Sequence, residues 1–131
     1  MAAIDVVRGA FAAMEQGDMA QAFAAFAPDL TYCLHGDHPL AGEFDGKAAT
    51  LGAFAALAQA GGTSTTLRLA HSAPAGDELV LAHLVRTAAG NAGEVEGDIA
   101  TILRVEQGVI TQIVSVASRA LDDYFRAAAS N

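Results

Sequence analysis

Tyr32, His38, His71 and His83 are the side chains whose type and placement best suit acid–base chemistry in this sequence. A histidine exchanges a proton near neutral pH, and a buried phenol can hold a carbonyl oxygen while staying neutral. His83 stands in the middle of the apolar run Leu79–Ala88, LVLAHLVRTA. Burial there would lower its pKa and leave a neutral imidazole ready to accept a proton, which makes it the favoured base or acid. The plainer reading is a hydrogen-bonded structural histidine. Tyr32 lies in LTYCLH, in phase with Leu30 and Leu34, and would turn inward with them to orient a ligand carbonyl. Its plainer reading is core filling. His71 is in phase with Leu67 and Leu69, and His38, before Pro39, belongs to a loop expected over Asp37–Phe44. His35 has the opposite parity from Tyr32. Leu34, His38, His71, Thr101 and Phe54 are expected to line a ligand pocket, with His83 and Tyr32 carrying the chemistry.

These residues need elements to position them. Ile4, Val7, Phe11 and Met14 recur at helical spacing, and Gly17 closes that helix. Asp18 caps a second, with Met19, Phe23 and Phe26 on one side, and Pro28 stops it. Leu30–His35 reads as a strand. Asp45 caps a third helix carrying Leu51, Phe54, Leu57 and Ala58, ended by Gly61-Gly62. Strand-like segments follow over Thr63–Ser72, Leu79–Ala88, Glu94–Val105 and Val109–Val116, with turns at Ala89–Gly93 and Glu106-Gln107-Gly108. Leu121–Phe125 reads as a short amphipathic helix or an extended tail. The expected fold class is α+β: a cone-shaped, curved antiparallel (mixed) sheet with three helices from the N-terminal half covering its concave face. Such a cone, closed at one end, encloses an apolar pocket.

Parity sorts the strands further. If Thr101 points inward, so do Val95, Gly97, Ile99, Leu103 and Val105, while Glu96, Asp98, Ala100, Ile102 and Arg104 face out. That outer face mixes apolar and charged side chains and suits a homodimer contact. Asp98 is expected there. On Leu79–Ala88 one set is Leu79, Leu81, His83, Val85 and Thr87, and the other is Val80, Ala82, Leu84 and Arg86.

The 131 residues are one domain's worth, and 53% hydrophobic residues give it a real core. Seven Lys plus Arg against 15 Asp plus Glu leave a net charge of −8. That field disfavours nucleic acid and anionic lipid. One cysteine excludes an internal disulfide and a thiolate metal cluster, and Cys33 reads as a buried, inert thiol. No histidine pair has ligand spacing and no phosphate-binding glycine loop follows a strand, so neither a metal nor a cofactor is expected. The N-terminus lacks the basic flank and apolar core of a secretory leader, and no apolar run is long enough for a membrane span; a cytoplasmic location is the expectation.

The order of elements, with FAAMEQGD (residues 11–18), HPLAG (38–42) and LRVEQGVI (103–110), resembles the SnoaL-like and ketosteroid-isomerase-like proteins of the nuclear transport factor 2-like superfamily. The resemblance spans nearly the whole chain. It implies a shared scaffold that serves isomerases, cyclases, epoxide hydrolases and non-catalytic binders. Ketosteroid-isomerase chemistry needs a carboxylate base, a tyrosine and a protonated aspartate. In register, those positions fall on Leu34, Ala10 and Thr101 here, so that machinery is missing. The epoxide-hydrolase set of two aspartates and an arginine finds Arg86 and Asp98 but only Ala117 or Ser118 at its last position.

Two readings follow. One is a SnoaL-like isomerase or cyclase that moves a proton beside the carbonyl of a small apolar molecule. The other is a non-catalytic ligand-binding or dimerisation module of the same fold. Convergence of His83 and Tyr32 on one cavity would favour the first.

Overall fold

The computed structural model describes residues 1–62, 64–90 and 92–129. Thr63, expected to open a strand, and Asn91, expected inside a turn, lie outside the described residues. The elements run α1 (Ala3–Glu15), α2 (Met19–Ala24), β1 (Phe26–His35), β2 (Gly42–Asp45), α3 (Lys47–Ala60), β3 (Ser64–Pro74), β4 (Leu79–Gly90), β5 (Gly93–Glu106), β6 (Val109–Ala117) and α4 (Arg119–Ala129). The strands form one mixed, open sheet in the order β2-β1-β6-β5-β4-β3. Strands β1 and β6 pair in parallel, and the other neighbouring strands pair antiparallel.

Local chemistry sets the boundaries. Gly17, at φ 81°, takes the left-handed conformation that ends α1, and Asp18 Oδ1 accepts the Gln21 N–H at 3.1 Å to start α2. Gln107 and Gly108, at φ 53° and 80°, make the tight reversal between β5 and β6. The sequence reading needs correction at Pro28, Asp45 and Cys33. Pro28 does not stop a helix: α2 ends at Ala24, and Pro28 sits in β1 where the pairing with β6 shifts register. Asp45 does not cap α3; it closes β2, a short strand inside the segment expected to be loop, and Gly46 occupies the cap. Leu121–Phe125, read as a short amphipathic helix or an extended tail, takes the helical form within α4. Cys33 is half-buried on the outer sheet face, with Sγ 3.3 Å from His35 Nε2, because its parity opposes that of Leu30, Tyr32 and Leu34.

The expected alternation of β5 is observed: Gly97, Ile99, Thr101, Leu103 and Val105 are buried, while Glu96, Asp98, Ala100 and Ile102 are exposed. Fully buried Leu30, Val80, Leu103 and Ile110 join the inner faces of four strands to the helices. Each such side chain contributes about 1.5–3 kcal/mol. Helix α4 closes one end because Gly97 makes room for it: a Cβ there would lie 2.5 Å from Leu121 Cγ.

Candidate functional site

Between the inner sheet face and the helices lies a cavity of about 710 Å³. That volume suits a drug-sized ligand. Its wall is mostly apolar, with Phe11 and Met14 from α1, Phe54 and Leu57 from α3, and Leu84, Ile99 and Leu103 from the sheet. Phe54 sits edge-on to Tyr32 at 5.0 Å and to Phe26 at 6.0 Å, which fixes the orientation of the phenol. Expected lining residues Tyr32, Leu34, His38, Phe54 and Thr101 all reach the cavity.

Three polar side chains give this wall its chemistry. The first is Arg86, on the inward parity of β4 with Val80, Ala82 and Leu84. It is 9% exposed, and its Nη1 donates to Thr65 Oγ1 at 3.2 Å. Among the described residues no carboxylate comes within ion-pair distance of it. A guanidinium has five N–H donors, and burying one without a counter-ion costs several kcal/mol. Burial accordingly lowers its pKa, while neighbouring Tyr32 pulls it back up. The second is Tyr32, 5% exposed, whose pKa burial pushes up to about 12 against the pull of Arg86. It therefore remains a neutral phenol at physiological pH and cannot neutralise Arg86.

The third is His38. Its Nδ1 accepts the Leu40 N–H at 3.1 Å, so the neutral ring carries its proton on Nε2. Nε2 lies 3.9 Å from Asp122 Oδ1, a buried oxygen with no hydrogen-bond partner among the described residues. Gly36 allows this approach, since a Cβ there would sit 2.7 Å from the same oxygen. The His38 ring also packs on Phe125 at 5.4 Å. Burial lowers its pKa, with Asp122 opposing that shift. Arg126 ties the surrounding loop to α4: Nη2 reaches Asp37 Oδ2 at 2.9 Å, and Nη1 reaches Asp123 Oδ1 at 3.0 Å. Asp122 is thus part of the cavity wall's support.

His83 and His71 are placed otherwise. Neither lines the cavity. Both stand on the outer sheet face, their rings stacked at 5.6 Å, and His83 Nε2 meets Asp98 Oδ1 at 2.8 Å. The His83 and Asp98 side chains are 42% and 71% exposed. The expected convergence of His83 with Tyr32 is therefore overturned, as is the pocket role given to His71. Odd-numbered positions of β4 turn outward and even-numbered ones inward, which sends His83 away from Arg86. Asp98 is a surface charge, as expected, and cannot join Arg86 in an epoxide-opening set because the two lie on opposite faces.

The positions that correspond to the ketosteroid-isomerase machinery, Ala10, Leu34 and Thr101, all line the cavity. They are chemically blank apart from the Thr101 hydroxyl, which pairs with Ser115 Oγ at 3.0 Å. The polar groups enter from β4, β1 and the loop after β1 instead. Arg86 was the residue whose role sequence reasoning understated. Its signal was a lone cation on the apolar, inward parity of a strand.

The fold is an α+β scaffold that encloses a largely apolar cavity. The chain belongs to the SnoaL-like family, whose domain profile matches residues 7–113. It is similar to uncharacterized proteins of Mycobacterium tuberculosis and Mycobacterium bovis, each 34% identical over 111 residues that cover 84% of either chain. Among solved structures, Bal32a from a soil-derived mobile gene cassette superposes with TM-score 0.85 at 20% identity, covering 94% of this chain and 95% of that one. An NTF2-like protein from Burkholderia xenovorans follows at TM-score 0.73 and 24% identity, covering 93% and 94%. TerC, co-crystallized with polyporic acid, superposes with TM-score 0.77 at 14% identity, covering 93% and 95%. These likenesses establish the nuclear transport factor 2-like fold. No helix among the described residues is long and apolar enough to cross a membrane.

Proposed function

We propose that this chain binds a small apolar carbonyl compound in its cavity and, as an isomerase or cyclase of the SnoaL-like type, moves a proton beside that carbonyl. The observation that carries the reading is the burial of Arg86 and Tyr32 together in an apolar wall. Donors preorganised in a dry site stabilise the negative oxygen of an enolate far better than water does. In the step proposed, a C–H proton leaves to a base, its bonding pair moves into the enolate, and the oxyanion rests on the Arg86 and Tyr32 donors. Return of the proton to a different carbon completes an isomerisation.

His38 is the base of this reading, in place of His83. Among the cavity's side chains it is the one whose ordinary pKa lies near neutrality. Its Nδ1 lone pair accepts the Leu40 N–H, so taking a proton there requires that amide to turn away, at about 1–3 kcal/mol for a donor left without its acceptor. Asp122 then faces the imidazolium from the Nε2 side. The same hydrogen bond favours a second reading, in which the protein binds the ligand without transforming it.

Deuterium wash-in from heavy water, over a panel of ketones and polyketide mimics, separates the two. Catalysis predicts exchange above buffer that falls by about 10²-fold or more in Tyr32→Phe and His38→Gln, the usual weight of a positioned acid or base. Exchange at the buffer rate with a folded protein leaves the binding reading alone.

We also propose that the outer sheet face joins two copies of the chain. Leu81, Ile102 and Val116 are 48%, 45% and 52% exposed there. Cross-strand pairing lines up Ala73, Leu81, Ile102, Val114 and Cys33 as one row across five strands. Sedimentation should give a dimer that Ile102→Glu converts to monomer; a monomeric wild type at high concentration would refute the contact.

A further inference from the structure

We infer that the ligand is an organic anion, an apolar body with one carboxylate or strongly acidic enol, and that its charge sits on Arg86. This rests on the cavity reading above and narrows it from carbonyl compounds in general to acidic ones. The geometry is specific. Arg86 is 9% exposed, lines the cavity, and spends one donor on the Thr65 hydroxyl at 3.2 Å. The remaining donors of its planar fork have no acceptor among the described residues. A fork of that shape matches two oxygens on one carbon, or the two oxygens of an acidic hydroxy-ketone, through parallel N–H···O bonds. Tyr32, the acidic side chain coupled to it, stays a phenol and adds a donor rather than a counter-charge.

The rest of the wall argues the same way. Its buried hydroxyls, Thr101 and Ser115, are paired with each other at 3.0 Å. Glu15, the carboxylate that reaches the cavity, is exposed at the rim, where Oε1 accepts the Leu69 N–H at 3.2 Å. The buried wall therefore offers the Arg86 guanidinium, the Tyr32 phenol and the His38 ring, while a second cation, Arg68, lines the cavity from an exposed position. A neutral ligand would leave the guanidinium buried and unpaired. A monoanion completes it.

The test uses charge-matched twins on the whole protein. Calorimetric titration would compare 2-naphthoate with methyl 2-naphthoate, and 2-hydroxy-1,4-naphthoquinone, an enolate at neutral pH, with 2-methyl-1,4-naphthoquinone. Each anion should bind at least about tenfold more tightly than its neutral twin, the weight of one charge-assisted hydrogen bond. Arg86→Met should abolish the preference and Arg86→Lys should keep part of it, with circular dichroism confirming that both are folded. Twins bound equally by wild type, or a preference that survives in Arg86→Met, would overturn the anion inference and leave the cavity reading standing. Failure of all four probes to bind the folded protein would overturn the cavity reading as well.

Discussion

His83 and Arg86 stand on the same strand and have opposite fates. His83 faces outward, 42% exposed, with its charge partner Asp98 beside it and its ring on His71. Arg86 faces inward, 9% exposed, with no counter-ion among the described residues. In the single chain the outer cluster is paired and exposed; a pair of that kind is worth about 0–1 kcal/mol. The inner group is 9% exposed and has no ion-pair partner among the described residues. Incompleteness inside an apolar cavity is the observation on which the ligand proposal rests. A histidine in mid-strand drew attention in the sequence because its side chain titrates usefully. Its surroundings, not its type, decide its role.

Three experiments sharpen that contrast. The largest effect is expected from Arg86→Met, which replaces the unpaired buried charge with an apolar chain of similar length. Without ligand it should stabilise the fold by about 1–4 kcal/mol, measured by urea unfolding. A destabilised Arg86→Met would mean that the guanidinium already has a partner and would erode the contrast. Next come the adjacent positions Gly97 and Asp98 on β5, one inward and one outward. Gly97→Ala forces a Cβ to within 2.5 Å of Leu121 Cγ and should destabilise by about 1–3 kcal/mol. Asp98→Ala breaks only the exposed pair with His83 and should change stability by less than about 1 kcal/mol. Equal effects at the two sites would show that the faces are not so different.

The smallest effect concerns pH. Burial holds the His38 pKa below its ordinary value in the folded protein. The unfolded chain therefore binds this proton more readily, so stability is complete above about pH 6.5, the unfolded value, and declines as pH falls through it. Thermal melts between pH 7.5 and 5.5 should show that decline, and His38→Gln should flatten it. An unchanged slope in the variant would place the titration elsewhere.

Much of this molecule was legible in its sequence. Period-two alternation on β5 assigned Gly97, Ile99, Thr101, Leu103 and Val105 to the interior, because one face of that strand is packed and the other wet. The α+β order was legible from helical and strand periodicities, and the parity of Tyr32 with Leu30 and Leu34 matches their shared burial. On β4 parity sorted the residues but could not say which set faced in, since both sets are apolar. Knowing that Val80, Ala82 and Leu84 pack against the helices settles it, and Arg86 follows them. Asp122 was hidden for another reason. Its buried oxygen depends on α4 folding back over the loop that holds His38, a contact between segments far apart in the chain. The short strand β2 was masked by Pro39 and Gly42, residues that read as loop until pairing with β1 supplies the hydrogen bonds.

The central claim is that ligand enters the inner cavity and the outer histidine cluster plays no part in holding it. A titration of isotopically labelled protein with 2-hydroxy-1,4-naphthoquinone, followed by NMR, addresses it directly. The account predicts shifts at the Arg86 side-chain N–H and at the amides of Tyr32, Phe54, Leu84 and Thr101, with His71, His83 and Asp98 unmoved. Perturbations centred on His71, His83 and Asp98, with the Arg86 signal unchanged, would contradict it.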